Sequence, residues 1–330
     1  AYLPAGSYSG ATMKSNVNLY LAPGAVLRGL TVRSTTNSKI TGRGYYCCAK
    51  MQVYYNTNFH IHDIVIVASP TTALRTGFML NSGVHNIKII TGRTFDGMDT
   101  EGVFNYIIED SFIWSGDDNI AVGSGAGDVD FRKPSNTDGL IIRNNVLKHT
   151  ATGRNVALFG GHIGHQYVRN VLVENNNGIS SETPVEIQAG NGAPLLSGFT
   201  IRNNHFEDIR GKYLGIHSMD FFAWGGCGNG SISHTTGAAK NILFDNNYFY
   251  SSVGSGIISG YSPTQNIDNV IINNWYINGV KATSLSTAKI SLGPYVTNVR
   301  VTTDASPLPI MSALPKSSIM LTLADYQIDP

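Results

Sequence analysis

Short runs in which apolar and polar residues alternate recur along most of the chain. One reads NFHIHDIVI from Asn58, and the last reads NVRV from Asn298. Alternation with a period of two, as at Ile87 and Ile89, places every second side chain on one face and is typical of a β-strand. No segment of useful length shows the 3.6-residue period of an amphipathic helix. The pattern therefore predicts an all-β protein.

Each run opens on an asparagine or a glycine, which makes the pattern a repeat. The runs begin at Asn58, Asn86, Asn105, Gly139, Asn170, Gly198, Asn241, Asn269 and Asn298. Most of the steps between these starts fall in the range of roughly 20–50 residues that marks a solenoid, without the leucine ladder or blade signature of other repeat folds. We therefore predict a right-handed, single-stranded parallel β-helix with three short strands per coil.

Asparagine pairs follow several of the runs. They are Asn144-Asn145, Asn203-Asn204 and Asn246-Asn247. At equivalent corners of stacked coils, their side-chain amides can hydrogen-bond to one another along the axis. We expect these pairs to have a structural role.

Composition narrows the function classes. The formal net charge is +1 and only 14% of the residues are charged, so the clustered basic surplus of a nucleic-acid-binding protein is missing. No apolar stretch of about 18 residues is present to span a membrane. A polyanionic substrate stays possible, because a local basic groove can exist within a neutral total.

The chain opens on AYLPAGSYSG, which reads as the middle of a structural unit. We expect residues 1–330 to form one β-helix domain whose natural beginning lies upstream. Three cysteines are present, and their spacing is not that of a zinc site. Cys227 could bridge to Cys47 or to Cys48, or all three could be free thiols.

Two segments carry an unusual density of aspartates, TFDGMDT from Thr94 and WSGDDNIAVG from Trp114. Asp96 and Asp117 are 21 residues apart, close to one coil. Because stacked strands lie about 4.8 Å apart, Asp96 is expected beside Asp117 and Asp118. Adjacent side chains on a strand point to opposite faces, so Asp117 and Asp118 should lie at a strand end or a bulge.

Crowded carboxylates raise one another's pKa. The free-energy cost of crowding carboxylates is understandable where one acid must stay protonated near neutral pH while a neighbour stays ionised. Glycoside hydrolysis requires such a pair. Aspartates also cap turns or bind calcium. The gathering of Asp96, Asp99, Asp117 and Asp118 at one-coil spacing favours catalysis.

The segments DGMD and SGDDNIAV on a solenoid resemble the polygalacturonases of glycoside hydrolase family 28. The opening YLPAGSYSGATMKSNVNLYLAPGAVLRG is also similar to the first coils of that family. The resemblance implies that Asp117 is the general acid, that Asp96 and Asp118 activate water, and that the reaction inverts the anomeric centre. It implies no metal and no organic cofactor.

Two departures from the family motifs bear on the substrate. The first motif reads Thr94-Phe95-Asp96 where the family has Asn-Thr-Asp. The Arg-Ile-Lys that grips a substrate carboxylate in the family aligns with a segment whose ends are Glu186 and Gln188. A glutamate there would repel galacturonate. A neutral sugar is therefore expected, and the related family 49, which includes dextranases and isopullulanase, also resembles the chain.

A third departure concerns a histidine. The Gly-His-Gly motif of the family aligns with GRN at residues 153–155, so that Arg154 replaces the histidine. We expect Arg154 to take part in the cleft. Either His162 or His165 could take the place of the missing histidine in space, or both could be buried structural residues.

Further residues in or near the predicted long loops are candidates for sugar subsites, because aromatic rings stack on sugar faces while polar groups bind hydroxyls. They are Trp114, Tyr167, His217, Asp220, Phe222 and Trp224.

The resulting hypothesis is an inverting, secreted, monomeric glycoside hydrolase that acts on a neutral polysaccharide. Three alternatives stay open: a polygalacturonase-type pectin hydrolase, a polysaccharide lyase on the same fold, and a non-catalytic β-helix that binds carbohydrate. A lyase would make an unsaturated product, whereas the non-catalytic protein would have no reason to gather three carboxylates.

Overall fold

The computed structural model describes residues 1–68, 71–124, 136–150, 153–159, 167–189, 195–217, 237–252 and 254–311. Within these ranges the regular elements are all β-strands. Every pairing between them is parallel except that of a short hairpin near the C-terminal end. The chain folds as a right-handed parallel β-helix, which confirms the predicted fold class.

The strands are short and evenly spread. The first ten are β1 (Tyr2–Leu3), β2 (Gly6–Tyr8), β3 (Ala11–Thr12), β4 (Asn18–Leu21), β5 (Ala25–Leu27), β6 (Leu30–Arg33), β7 (Thr36–Gly42), β8 (Tyr45–Cys47), β9 (Met51–His62) and β10 (Val65–Ala68). The next ten are β11 (Leu74–His85), β12 (Lys88–Thr91), β13 (Met98–Glu109), β14 (Phe112–Ser115), β15 (Ile120–Gly123), β16 (Thr137–Arg143), β17 (Val146–His149), β18 (Arg154–Phe159), β19 (Tyr167–Glu174) and β20 (Asn177–Ile179). The last ten are β21 (Thr183–Gln188), β22 (Leu195–Arg202), β23 (His205–Glu207), β24 (Lys212–His217), β25 (Ala238–Tyr250), β26 (Ser255–Ser259), β27 (Ile267–Ile277), β28 (Val280–Lys281), β29 (Ile290–Leu292) and β30 (Val296–Thr302).

These strands stack into three faces. Face A contains β1, β4, β7, the second halves of β9, β11 and β13, then β16, β19, β22, β25, β27 and β30. Face B contains β2, β5, β8, β10, β12, β14, β17, β20, β23 and the end of β25. Face C contains β3, β6, the first parts of β9, β11 and β13, then β15, β18, β21, β24, β26 and β29. The chain passes through the faces in the order A, B, C.

Left-handed residues make the corners. Every residue at which a predicted run begins has a positive φ, between 48° and 74°. Asparagine and glycine tolerate this conformation best, which explains why they open the runs. Most of these residues turn the chain from face C to face A, whereas Asn86 lies at the corner from face A to face B. Asn81, at φ 49°, takes the C-to-A corner of that coil.

Inward-facing side chains form one continuous hydrophobic cluster from Met13 to Ile290. At the corner between faces A and B, buried amides form the expected ladder. Asn145 donates to Asn176, Asn176 donates to Asn204, and Asn204 donates to Asn247, each over 3.0 Å. The first member of each predicted pair is the left-handed residue of the corner, and Asn246 also donates to Asn203 over 2.9 Å.

Cys47 and Cys48 are free thiols, and Cys227 lies outside the described residues. Across the part of the chain that the structure describes, no helix is long and apolar enough to span a bilayer.

Candidate active site

The aspartates lie at the corner between faces B and C. β14 ends at Ser115 and β15 begins at Ile120, so Asp117 and Asp118 occupy the turn between the two strands. Asp96 occupies the corresponding turn one coil earlier, just before β13. Freed from the alternation of a strand, the side chains of neighbouring aspartates can reach one cleft.

Close packing of the two turns depends on a glycine. A β-carbon on Gly116 would lie 2.1 Å from the carbonyl carbon and oxygen of Arg93, so no side chain fits there. The turns are joined directly: the backbone N–H of Asp117 donates to the carbonyl of Phe95 over 3.2 Å. This contact brings Asp117 and Asp118 against Asp96.

Three carboxylates meet as a result. One oxygen each from Asp96, Asp117 and Asp118 lies within 4.8 Å of the other two. The backbone N–H of Asp118 donates to Oδ1 of Asp96 over 3.1 Å, and the Thr72 hydroxyl donates to Oδ2 over 3.4 Å. Asp118 is buried, whereas Asp96 and Asp117 are half-buried. The arrangement matches the proximity expected from one-coil spacing.

Burial and mutual repulsion raise the pKa of all three acids. Burial raises the pKa of Asp118 to about 7, and the charge of Asp117 adds to it, although Arg154 opposes the shift. Burial and the charges of Asp99, Asp118 and Asp117 hold the pKa of Asp96 well above its ordinary value. The pKa of Asp117 is also raised, chiefly by burial. The cluster therefore keeps a proton near neutral pH.

Arg154 lies between two acids. Its Nη1 is 3.2 Å from both Oδ1 and Oδ2 of Asp118, and its backbone N–H donates to Oδ1 over 3.0 Å. Its Nε donates to Glu186. All three side chains are nearly buried. The acid cluster has the oxygen chemistry to contact a hard cation, but a guanidinium already occupies both oxygens of Asp118.

Arg75 and Asp99 form a second ion pair beside the cluster. Nε of Arg75 donates to Oδ2 of Asp99 over 2.7 Å, and the Asp99 side chain is 6% exposed. Asp99 also hydrogen-bonds to Asp96, where it contributes to the raised pKa. Along the outer surface of face C, Asp99 is in register with Ala121, Ala157 and Glu186. The two ion pairs thus lie on one surface, on either side of the aspartates.

Two candidate subsite aromatics lie on faces B and A. Trp114 lies on the outer surface of face B, where the Lys148 ammonium is 5.1 Å from its ring centre. Tyr167 begins β19 on face A and lies 4.3 Å from the Arg169 guanidinium. Both rings therefore have cationic neighbours outside the acid cluster.

Gln188 is buried at the end of β21, in register with His217 at the end of β24. Both positions lie on face C, two residues beyond Glu186 and Gly215. The remaining candidates fall outside the described residues, and these are His162, His165, Asp220, Phe222 and Trp224.

Sequence reasoning missed His149. Its Nε2 hydrogen-bonds to the carbonyl of Asp117, and the ring is buried. Burial lowers the pKa of His149, while the hydrogen bond opposes that shift. Gly153 allows the contact, because a β-carbon there would lie 2.3 Å from Nε2 of His149. The coil repeat holds the signal that could have found it, since His149 stacks on Ser115 in face B.

Comparison with known proteins settles the family. A sequence-family model described as glycosyl hydrolases family 28 matches residues 27–246, a span that contains the aspartates and both ion pairs. The chain belongs to this family. Membership of family 28 confirms the resemblance read from the DGMD and SGDDNIAV segments.

Individual proteins similar to the chain are consistent with this family. The chain is 24% identical over 203 residues to a probable polygalacturonase from Vitis vinifera, a match that covers 60% of this chain and 39% of that protein. It thus spans about two fifths of the length of this curated relative. A family 28 exopolygalacturonase from Yersinia enterocolitica superposes with a TM-score of 0.63 at 13% identity, covering 92% of this chain and 73% of that one. Dex49A from Penicillium minioluteum gives 0.62 at 14% identity, covering 91% and 59%. At these identities the two structures show the shared fold.

Family 28 membership also bears on the alternatives. It favours hydrolysis over elimination by a lyase and over a β-helix without catalytic function. The Arg154–Glu186 and Arg75–Asp99 pairs of this chain bear on the substrate.

Proposed function

We propose that this family 28 hydrolase cleaves a neutral polysaccharide, with Asp117 as general acid and with Asp96 and Asp118 activating the attacking water. The observation that carries the proposal is the meeting of three carboxyl groups within 4.8 Å, all with a raised pKa. Glycoside hydrolysis needs one carboxylic acid to protonate the leaving oxygen and one carboxylate to assist attack.

Asp117 suits the role of acid. It is half-buried, so a sugar oxygen can reach it, and burial together with nearby Asp99 and Glu182 raises its pKa. The contact between His149 and its backbone carbonyl fixes the turn that carries it. The raised pKa keeps Asp117 protonated to a higher pH than an ordinary aspartate, as a general acid requires.

Asp118 suits the role of base. Both of its oxygens accept from Arg154, which fixes the carboxylate and makes it a poor nucleophile toward carbon. Asp96 accepts the backbone N–H of Asp118, so the two groups act as a pair that is incompletely ionised at neutral pH. The carboxylate that remains ionised can accept a proton from water.

The spacing makes the stereochemistry worth measuring. Carboxyl groups of inverting pairs usually stand about 6.5–9.5 Å apart, and those of retaining pairs about 5–5.5 Å apart. The nearest oxygens here are within 4.8 Å. We propose inversion because Asp118 is clamped by Arg154, which requires water to approach beside the pair. Proton NMR of the first-formed anomer tests this, and a product that keeps the configuration of the substrate contradicts it.

Charge supports a neutral substrate. The cleft brings together five carboxyl groups, those of Asp96, Asp99, Asp117, Asp118 and Glu186. Among the residues that the structure describes, the guanidiniums of Arg75 and Arg154 are paired with these acids. Glu186 is paired with Arg154, so it does not repel galacturonate as an isolated charge. The result is similar, because the pairing occupies the arginine that a uronate carboxylate would need.

A pectin-type substrate is the second candidate. It is favoured by family 28 membership and by the relative named probable polygalacturonase. On that proposal, the cations for the uronate would come from other parts of the chain.

Reducing-sugar release from a panel of polymers separates the two. The panel contains polygalacturonate, rhamnogalacturonan, dextran, pullulan and an α-1,3-glucan, and the variant is Asp117→Asn. We expect release from a neutral polymer that falls about 10²- to 10⁴-fold in the variant. Asp110→Asn is the matched control, since Asp110 is exposed at the A-to-B corner.

Release from polygalacturonate alone would replace the neutral-glycan proposal with the pectin one. Equal rates in wild type and Asp117→Asn would remove Asp117 from the role of acid. We further propose that the protein acts outside the cell as a monomer, because polymers of this kind are met there. Fractionation of the producing cells and light scattering of the purified chain test these two points.

A further inference from the structure

A second cluster of titratable side chains lies on face A, whereas the aspartates lie at the corner between faces B and C. His60 and His62 end β9, and His85 ends β11, on the outer surface of face A. His62 is in register with His85, which is in register with Glu109. All three rings are half-buried. Nothing in the hydrolytic reaction uses them.

The ring nitrogens converge. One nitrogen from each of His60, His62 and His85 lies within 4.8 Å of the other two. Nδ1 of His60 is 3.0 Å from Nε2 of His85. The His62 ring stacks on the His85 ring with centres 4.5 Å apart, and the His60 ring is tilted by about 35° to His85. A simple stack of rings would not require three nitrogens to face one region.

We propose that His60, His62 and His85 bind one divalent transition-metal ion of the zinc class. Three imidazoles are a common ligand set for such an ion, with a fourth position left for water. Neutral imidazole is the form that binds metal, and burial with the neighbouring rings lowers the pKa of His60 to about 4 and also lowers that of His62.

Glu109 provides the support expected around a metal ligand. Nδ1 of His85 hydrogen-bonds to Oε1 of Glu109 over 2.8 Å, and Arg143 binds Oε2 of the same group over 2.7 Å. A carboxylate that accepts Nδ1–H leaves the lone pair of a neutral imidazole on Nε2, the atom that faces His60. His85 is therefore oriented as a ligand before any ion arrives.

The neighbouring column of charges shows what is unusual about the cluster. From Glu109 the column continues in register as Arg143, Glu174 and Arg202, with alternating sign. The histidines break that alternation, because no acid separates His62 from His85. A cation held between the rings would extend the same alternation beyond Glu109.

The fit requires small movements. Zinc–nitrogen bonds of about 2.0–2.1 Å with tetrahedral angles set the ligand nitrogens about 3.3–3.4 Å apart, slightly more than the 3.0 Å between His60 and His85. The stacked His62 ring must turn about its χ2 to aim a lone pair at the same ion.

Equilibrium dialysis of the whole chain, stripped with EDTA and then exposed to Zn²⁺ or Co²⁺ chloride at pH 7, tests the proposal. We expect one bound equivalent in wild type, none in His85→Ala, and about tenfold weaker binding in Glu109→Gln. His60→Gln is a second ligand variant, checked like the first by circular dichroism for folding. The Co²⁺ visible spectrum should report nitrogen ligands in wild type.

Three controls exclude other sites. His205→Ala removes an exposed histidine of face B, Cys47→Ser removes a thiol, and Asp117→Asn alters the acid cluster, so all three should bind as wild type does. Excess Ca²⁺ should not compete, because it prefers oxygen ligands. No bound metal in wild type, or wild-type binding in both folded histidine variants, overturns the proposal.

Discussion

The burial of Asp118 should make stability depend on pH. Its pKa is about 7 in the folded chain, against about 3.9 for an unfolded aspartate. Below about pH 4 both states hold the proton, and between about pH 4 and 7 the folded state holds it while the unfolded state has lost it. The contribution of Asp118 to the free energy of unfolding is therefore fully present in acid and is lost as pH rises toward 7.

We predict that Asp118→Asn flattens this dependence. Urea unfolding at pH 4, 5.5 and 7 should show that the free energy of unfolding falls more steeply in wild type than in the variant. The slopes should differ by at most on the order of 1 kcal/mol per pH unit. Asp110→Asn, at an exposed corner, should keep the wild-type slope. Parallel curves for wild type and Asp118→Asn would mean that Asp118 is ionised throughout.

At the scale of the strand and its corner, the sequence was most informative where backbone conformation limits residue choice. Asparagine and glycine opened the predicted runs because the corners need a positive φ. Asn81 was missed because Ser82 and Gly83 follow it in place of an apolar run. It is nevertheless a member of the same corner, and its amide oxygen accepts from Asn105 over 3.0 Å. The conformation of the corner residue, more than the alternation after it, defines the repeat.

The sequence predicted part of the acid site. The one-coil spacing predicted that Asp96 lies beside Asp117 and Asp118, because a parallel stack keeps its register. It did not predict that Arg154 would lie between Asp118 and Glu186. The pairing of long side chains depends on rotamers and on burial, which a spacing rule does not contain.

The amide ladder gives a prediction for the A-to-B corner. Oδ1 of Asn176 accepts the backbone N–H and the side-chain amide of Asn145, each over 3.0 Å. Asn176→Ala leaves both donors buried, and each buried group without a partner costs about 1–3 kcal/mol. The free energy of unfolding measured in urea should fall by about 2–4 kcal/mol. The neighbouring exposed Asn177→Ala is the control, and an equal loss in both variants would deny the ladder its role.

At the scale of the whole molecule, the three faces enclose one hydrophobic cluster, with buried members from Met13 to Ile290. Each coil touches only its neighbours, so stability is close to a sum of coil and interface contributions. A boundary between independently unfolding parts would require a weak interface. The described core shows an unbroken cluster of apolar side chains, which favours cooperative unfolding.

We predict that a cavity in the middle of the stack shifts one shared transition. Leu147 is fully buried on face B, and Leu147→Ala should cost about 2–5 kcal/mol. Far-UV circular dichroism reports the whole sheet, whereas fluorescence of a Trp114→Phe, Trp224→Phe background reports buried Trp275 near the C-terminal coils. In that background, with and without Leu147→Ala, both signals should give one midpoint, and the added cavity should lower it for both together. If the fluorescence midpoint of Trp275 stays fixed while the dichroism midpoint falls, the destabilisation at Leu147 does not reach Trp275. The terminal coils then unfold separately, and the solenoid is a row of independent units.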